Sequence, residues 1–291
     1  MIFQGSSVAL VTPFNSKNEV NFYELHRLIE FQIASQTKAI VILGTTGESS
    51  TISPDERTKI IKFCISQVAG RIPVIVGTGS NSTSVTIKQT KEAENLGANG
   101  VLIVTPYYNK TSQEGLYLHY KNIAKETNLP IIIYNVPSRT GVNILPETVK
   151  KLSKIKNIVG IKDAGGNFNQ SVKLLKILPK NFAVYSGDDL ITFPLMCMGA
   201  KGVISVTANA YPNLVNLMCD NILKKDYSNA IRINKHLYNL NVGLFLDINP
   251  ICIKYYLNLI GREVGKPRLP LVEPSKKIKN KLEKLRGEYE N

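Results

Sequence analysis

Residues 97–104 are Gly97-Ala98-Asn99-Gly100-Val101-Leu102-Ile103-Val104, in which a helix-ending glycine is followed at once by an apolar run. A run this short and this rich in β-branched residues is typical of a strand that is buried on both faces, as in a parallel sheet. The same punctuation recurs at Gly199-Ala200-Lys201-Gly202-Val203. The repeat predicts that helices and parallel strands alternate along the chain.

Eight such runs can be counted along the sequence. The predicted strands are Ser7–Val11, Ala39–Leu43, Pro73–Val76, Val101–Val104, Ile131–Tyr134, Ile158–Ile161, Phe182–Tyr185 and Gly202–Val206. The stretches between them have helical patterns. Phe22–Ile33 is amphipathic, and Ser53-Pro54-Asp55-Glu56 is a capping box with proline at the first helical position.

This alternation predicts a (β/α)8 TIM barrel with a C-terminal helical extension. A doubly wound sheet is the structural alternative, but it does not require eight evenly spaced strands. The strand pattern stops at about Asp226. We therefore expect residues 1–225 to form the barrel that carries the active site and residues 226–291 to form an α-helical region.

The 291-residue chain has a net charge of +14, but its Lys and Arg residues are scattered among Asp and Glu. Only residues 276–281 are locally dense in lysine. This distribution is typical of a solvated surface and does not favour a nucleic-acid partner, although a basic surface can still attract acidic substrates.

The cysteines and histidines do not cluster. The four cysteines lie in separate apolar contexts, which predicts buried thiols in a reducing compartment, and neither they nor the three histidines form a metal-ligand spacing. The start of the chain lacks a signal-peptide pattern, and no segment has the 18 or so apolar residues of a membrane span. We expect a cytoplasmic protein that has no metal and does not enter a membrane.

Lys162 is the most informative single residue. It follows Asn157-Ile158-Val159-Gly160-Ile161, and strand alternation predicts that Ile158, Gly160 and Lys162 share one side, with Gly160 leaving space beside the lysine. Active sites of TIM barrels lie at the carboxyl ends of the strands. A buried lysine there favours the neutral amine, which can attack a ketone. A solvent-exposed lysine at a strand end is the alternative.

Other strand ends carry polar groups of matching chemistry. Tyr134 ends an apolar run and could transfer protons during imine formation, or it could be a packed aromatic residue. Arg139 could bind a carboxylate in bidentate fashion, or it could meet solvent in its loop. Thr45 and Thr46 stand between two glycines, where hydroxyls and backbone N–H groups could cradle a carboxylate. Asp188-Asp189 could bind a metal, but no further ligands cluster with it.

Five motifs together resemble the 4-hydroxy-tetrahydrodipicolinate (dihydrodipicolinate) synthases, which are pyruvate-dependent class I aldolase-type enzymes. The motifs are Gly44-Thr45-Thr46-Gly47-Glu48, Val104-Thr105-Pro106-Tyr107-Tyr108, Tyr134-Asn135-Val136-Pro137-Ser138-Arg139-Thr140-Gly141, Gly160-Ile161-Lys162 and Ser186-Gly187-Asp188-Asp189. The resemblance extends from Gly5 to at least Pro250.

The resemblance implies a role for each site residue. Lys162 would form the imine with pyruvate, and Tyr134 would move protons in a relay with Thr45 and Tyr108. The pyruvate would be held by Thr46, by the backbone at Ile204 and beside Gly187. Arg139 would bind the carboxylate of L-aspartate 4-semialdehyde. The reaction would be the entry step of the diaminopimelate route to lysine.

The resemblance also implies an assembly and the absence of a cofactor. Family members are mostly homotetramers, built as dimers of dimers, in which Tyr108 reaches the neighbouring subunit's site. An N-acetylneuraminate lyase-like aldolase is the alternative within the superfamily. Those relatives have Gly-Ser-Thr-Gly where this chain has Gly44-Thr45-Thr46-Gly47, and they lack the turn that contains Arg139. A non-catalytic basic binding protein is the alternative from another class, and it predicts salt-dependent binding of polyanions.

One departure from the family pattern concerns regulation. Lysine-inhibited members typically carry histidines where this chain has Pro54 and Arg57, and a glutamate where it has Val85. A cationic ligand would lose an acidic partner and meet a fixed positive charge. The sequence therefore predicts weak or absent feedback by lysine.

Overall fold

The computed structural model describes residues 1–289, which contain a closed barrel of eight parallel strands in sequential order. The strands are β1 (Gly5–Ala9), β2 (Ala39–Ile42), β3 (Val74–Gly77), β4 (Gly100–Val104), β5 (Ile131–Asn135), β6 (Ile158–Asp163), β7 (Ala183–Ser186) and β8 (Gly202–Ser205). Pairing of β1 with β8 closes the barrel. The predicted TIM barrel and its eight strands are confirmed.

Helices follow the strands and surround the barrel. They are α1 (Phe22–Ala34), α2 (Pro54–Val68), α3 (Thr83–Asn95), α4 (Gln113–Lys125), α5 (Pro137–Thr140), α6 (Pro146–Leu152), α7 (Phe168–Ile177), α8 (Thr192–Cys197), α9 (Pro212–Leu223), α10 (Tyr227–Gly243), α11 (Ile251–Leu259) and α12 (Lys276–Tyr289). Within residues 1–289, no helix is both long and apolar enough to cross a bilayer.

The core has two layers, as strand alternation requires. The inner layer fills the barrel and includes Leu102, Ile132, Tyr185 and Ile204. The larger outer layer lies between the strands and the surrounding helices. A side chain at the carboxyl end of the inner layer therefore faces the mouth of the barrel.

The predicted alternation along β6 is wrong for Ile158. The register shifts between β5 and β6, where Ile131 pairs with Ile158 but Ile132 pairs with Gly160. Because Val159 is the extra residue, it packs against the inner layer while Ile158 joins the outer one. A single-residue bulge of this kind reverses the side on which residues before it point.

Two smaller expectations also need correction. Cys197 is exposed because it ends the short helix α8 at the surface, whereas the other three cysteines are buried as predicted.

Beyond Asp226, helices α10, α11 and α12 form the C-terminal region, but residues 262–275 are not helical. This stretch contains Pro267, Pro270 and Pro274, which cannot continue a helix. The division at residue 226 stays a prediction, and residues 290–291 of the predicted region lie outside the described residues.

Candidate active site

Lys162 and Tyr134 lie side by side at the carboxyl end of the barrel. They are register partners in β6 and β5, and the Lys162 Nζ atom is 4.4 Å from the centroid of the Tyr134 ring. Both are buried, Lys162 with 5% of its surface exposed. The strand pairing itself thus places an amine beside a phenol at the mouth of an otherwise apolar barrel.

Tyr185, the second phenol next to Lys162, is committed elsewhere. It is the register partner of Lys162 in β7, but its hydroxyl donates a hydrogen bond of 2.8 Å to the Phe3 carbonyl at the opposite end of the barrel. Its ring stacks on Phe3, and burial raises the pKa of the Tyr185 hydroxyl. Tyr134 is therefore the better-placed phenol for proton transfer at Lys162.

Gly187 provides space for the lysine side chain. A β-carbon at Gly187 would lie 3.0 Å from Lys162 Cε and 2.8 Å from the Ala164 side chain. A β-carbon at Gly160 would instead meet the Ala183 carbonyl oxygen at 2.7 Å. The nearest atoms to that β-carbon belong to Ala183 and Tyr185, so Gly160 allows β6 to approach β7, and the expectation that it leaves space beside the lysine stays a prediction.

The end of β8 supplies the backbone at Ile204. Ile204 belongs to the inner layer and is fully buried. Just beyond it, Asp189 Oδ2 accepts backbone hydrogen bonds from Val206 (2.9 Å) and Thr207 (3.2 Å). Asp189 thus fixes the strand end. Within residues 1–289, no group of three or more His, Cys, Asp or Glu side chains is placed to bind a metal.

Residues 44–48 form a tight turn after β2, which we call the threonine turn. Its backbone hydrogen bonds run from Gly47 N to the Gly44 carbonyl (3.1 Å) and from Glu48 N to the Thr45 carbonyl (3.1 Å). Thr45 is half-buried, and Thr46 is buried. A β-carbon at Gly77 on the neighbouring strand would lie 2.2 Å from the Leu43 carbonyl oxygen, so this glycine is required for β3 to approach the turn.

Asn249 connects the threonine turn to Arg139. Its side-chain amide donates to Thr46 Oγ1 at 2.9 Å, and its backbone carbonyl accepts from Arg139 Nη2 at 2.8 Å. Sequence reasoning did not assign it a role. Its position just before Pro250 and the α11 helix was the available signal, but only the fold brings residue 249 within reach of residue 46.

A cavity of about 630 Å³ opens beside these residues. One group of its lining residues comprises Thr45, Val136, Arg139, Thr140 and Asn249, and a second group, around Arg57, comprises Ser49, Arg57, Val85, Glu92 and Tyr107. A cavity this size accommodates a small dicarboxylate or keto acid. Two candidate carboxylate-binding groups, Arg139 and the threonine turn, therefore lie next to each other at this cavity, joined by Asn249.

Arg57 in the wall of the cavity is buried and only partly paired. Its Nη2 atom donates to the Gly77 carbonyl at 2.9 Å, and its Nε atom is 3.8 Å from Glu92 Oε2. Burial lowers the pKa of Arg57 to about 10, so the guanidinium stays charged at neutral pH. The cavity wall therefore carries a fixed positive charge at Arg57.

Tyr108 does not join the site of its own chain. It is 90% exposed and has a positive φ of 71°, so the loop after β4 holds its side chain out from the surface. The structure thus brings together Lys162, Tyr134 and Gly187. Thr45 and Arg139 line the cavity, and Thr46 lies behind it in contact with Asn249. Tyr108 joins neither group.

Comparison with known proteins covers nearly the whole chain. The model of the dihydrodipicolinate synthetase family matches residues 2–287. The 4-hydroxy-tetrahydrodipicolinate synthase of Thermoanaerobacter sp. (strain X514) is 47% identical over 289 residues, which covers 99% of this chain and 97% of the relative.

Solved structures agree with that relationship. Dihydrodipicolinate synthase from Aquifex aeolicus has a TM-score of 0.96 and 44% identity, over 99% of this chain and 98% of its own. The chloride-inhibited enzyme from Acinetobacter baumannii, solved in complex with pyruvate, has a TM-score of 0.96 and 45% identity, over 99% of both chains. The chain belongs to the dihydrodipicolinate synthetase family.

Proposed function

We propose that this protein condenses pyruvate with L-aspartate 4-semialdehyde to give 4-hydroxy-tetrahydrodipicolinate, the entry step of diaminopimelate and lysine biosynthesis. The observation that carries the proposal is the buried Lys162 amine beside the Tyr134 ring, 4.4 Å away, in a chain of this family. The names of the relatives and the pyruvate complex of one of them support the choice of substrates.

Lys162 begins the reaction. Its neutral amine attacks the ketone carbon of pyruvate, and loss of water from the carbinolamine gives an imine. Tyr134, whose ring lies beside the amine, takes the proton from the attacking amine and returns it to the departing hydroxyl. Burial of Lys162 keeps bulk water away from the imine.

Carbon–carbon bond formation follows. Loss of a proton from the pyruvyl methyl group gives an enamine, whose carbon attacks the aldehyde of the second substrate. The amino group of that substrate then attacks the imine carbon, closes the ring and releases the Lys162 amine. One water leaves overall, and the lysine is regenerated without any cofactor.

The surrounding groups bind the carboxylates. Thr46 and the backbone at Ile204 hold the pyruvate carboxylate, and Gly187 leaves room for the bound adduct next to Lys162. Arg139 lines the cavity with one nitrogen bonded to the Asn249 backbone carbonyl, and its guanidinium binds the carboxylate of the incoming semialdehyde.

Tyr108 completes the proton relay with Tyr134 and Thr45 from a neighbouring subunit. The 90% exposure of Tyr108 supports this role, because a residue so exposed on its own chain is available to a partner. We accordingly propose a cytoplasmic homotetramer, a dimer of dimers, whose partners are small molecules and neither nucleic acid nor membrane.

The test is pyruvate consumption by the purified protein with L-aspartate 4-semialdehyde and N-acetylmannosamine in parallel. We expect turnover with the semialdehyde alone, lost in Lys162→Ala and strongly reduced in Arg139→Ala. Turnover with the amino sugar would replace this function with that of an N-acetylneuraminate lyase-like aldolase. The absence of turnover with either, together with salt-dependent polyanion binding, would favour the non-catalytic binding protein.

A further inference from the structure

Lys254 of α11 and Glu48 of the threonine turn form a fully buried ion pair. Lys254 Nζ is 2.7 Å from Glu48 Oε1, and the two side chains are 0% and 1% exposed. The ammonium group also donates to the carbonyls of Thr12 and Lys266, each at 3.1 Å. All three of its protons are thereby used, so this lysine has no free donor for a substrate.

The second oxygen of Glu48 is held from the same part of the chain. The Arg268 backbone N–H donates to Glu48 Oε2 at 2.8 Å. The Arg268 guanidinium extends the contact by donating to the Thr51 carbonyl at 2.9 Å and to Glu56. Lys254 Nζ and Arg268 Cζ each lie 4.1 Å from the centroid of the Phe14 ring. Two points of the C-terminal region thus clamp one carboxylate.

Glu48 adopts a backbone conformation that is unfavourable for a residue with a side chain. Its φ is 54°, in the left-handed region that is costly for a residue with a β-carbon. Thr46 lies only two residues before it, and Thr12 Oγ1 donates to the carbonyl of the intervening Gly47 at 2.7 Å. The position of the Thr45 and Thr46 hydroxyls therefore depends on how residues 47 and 48 are held.

Stability alone is a poor explanation for the pair. Removing two charges from water costs about as much as their attraction returns, so a buried pair is rarely more stable than apolar residues of the same size. Burial lowers the pKa of Lys254 to about 8 in spite of Glu48, which reflects that cost. A buried pair does impose one geometry, because any other leaves a charge without a partner.

We propose that Lys254 and Glu48 are positioning residues that set the threonine turn for pyruvate binding and proton transfer. They act through Thr46 and Thr45 and do not touch the substrate. The inference rests on the proposed function, since it assigns those two threonines to pyruvate and to the relay. It also gives the C-terminal helical region a direct part in the geometry of the active site.

The test uses the full-length chain and two variants. In Lys254→Met, Glu48 is left buried without its partner, which can impair folding. The Glu48→Gln/Lys254→Met double variant removes both charges and should fold with a melting temperature close to that of the wild type. We expect the double variant to keep at least about a tenfold loss in kcat/KM for pyruvate, mostly in KM. The KM for the semialdehyde should change much less, because Arg139 is held by the backbone carbonyl of Asn249, whereas only the side chain of Asn249 contacts the threonine turn.

Hydrogen exchange supplies a readout that does not need turnover. The amides of residues 45–48 should exchange faster in the double variant than in the wild type, while those of β5 and β6 should not. Lys173→Met is the matched control, since it removes an exposed lysine from its ion pair with Glu147 and should change nothing in either assay.

The outcomes separate this inference from the proposed function. Wild-type kinetics and wild-type exchange in the double variant would overturn the positioning role and leave the proposed function intact. A wild type that does not turn over pyruvate would overturn the function, whereas faster exchange at residues 45–48 would still support the coupling between Lys254 and the turn.

Discussion

At the scale of single residues, the position of the Lys162 side chain depends on the absence of a β-carbon at the neighbouring Gly187. A β-carbon at position 187 would come within 3.0 Å of Lys162 Cε, closer than ordinary carbon contacts allow. The Gly187 backbone is not in the left-handed region, so alanine is excluded by this contact rather than by its dihedral angles.

Gly187→Ala should therefore displace the Lys162 amine and reduce kcat/KM for pyruvate by about 10- to 100-fold, because small misplacements of a reacting group cost that much. Steady-state kinetics and thermal unfolding should be measured together. Gly287→Ala is the control, since a β-carbon there meets no atom within 4 Å. Unchanged kinetics in Gly187→Ala would show that the lysine does not need this space.

Sequence patterns identified Lys162 and Tyr134 because each interrupts or ends an apolar strand, and a polar group there has to face the mouth or the solvent. They could not identify Gly187 as the neighbour of Lys162, since that contact crosses from β6 to β7. The bulge at Val159 was equally hidden, because a run of β-branched residues has no mark where the register shifts.

At the scale of elements, the start of α2 combines a local and a distant contact. Ser53 and Glu56 form the predicted capping box, which is confirmed. Arg268 then pairs with Glu56 at 2.6 Å from the far end of the chain. The capping box is encoded in four consecutive residues and was predictable, whereas the Arg268 contact depends on the whole fold.

The Glu56 contacts predict a pH-dependent contribution to stability. The hydrogen bond from Arg268 lowers the pKa of Glu56 to about 2 from its ordinary value of 4.5. A carboxylate whose pKa is depressed by folding stabilises the protein above its unfolded pKa, and this contribution is lost as the pH falls towards about 2.

Glu56→Gln should lower the free energy of unfolding by about 1 kcal/mol at neutral pH. This is typical of weakening a helix cap and removing a partly exposed ion pair at the same time. The difference from the wild type should shrink between about pH 4.5 and pH 2. Glu114→Gln, in the first turn of α4, is the control and should change stability little. A constant difference over that pH range would contradict the assignment.

At the scale of the whole molecule, the succession of eight strands could be predicted from the sequence because each strand is short, apolar and bounded by turn residues. The assembly could not be predicted in the same way, because sequence patterns do not show which surface residues contact another subunit. Tyr108 is where this matters most, since it is 90% exposed and lies outside the site of its own chain.

Complementation tests whether Tyr108 acts between subunits. Tyr108→Phe and Lys162→Ala should each be weakly active or inactive, but co-expression should restore activity. A mixed assembly contains sites in which Lys162 comes from one chain and Tyr108 from the other. Recovery of roughly a quarter to a half of wild-type activity is expected for such sites. No recovery in purified mixed assemblies would place Tyr108 in its own chain's site or outside catalysis.

The cavity wall around Arg57 predicts weak feedback by lysine. Arg57 is charged and buried there, Val85 offers no acidic partner, and Glu92 is already contacted by Arg57 and Thr58. Inhibition should need about 1 mM lysine or more, which corresponds to weak binding. Arg57→His/Val85→Glu should lower that concentration. Inhibition of the wild type at low micromolar lysine would refute this account.

The central claim, that Lys162 forms the imine with pyruvate, is tested most directly by trapping. The protein is incubated with pyruvate, reduced with borohydride and mapped by peptide mass spectrometry. We predict one reduced pyruvyl group per chain, on Lys162, and none in Lys162→Ala. An adduct on another lysine, such as Lys254, whose pKa burial lowers to about 8, or no adduct at all, would contradict the claim.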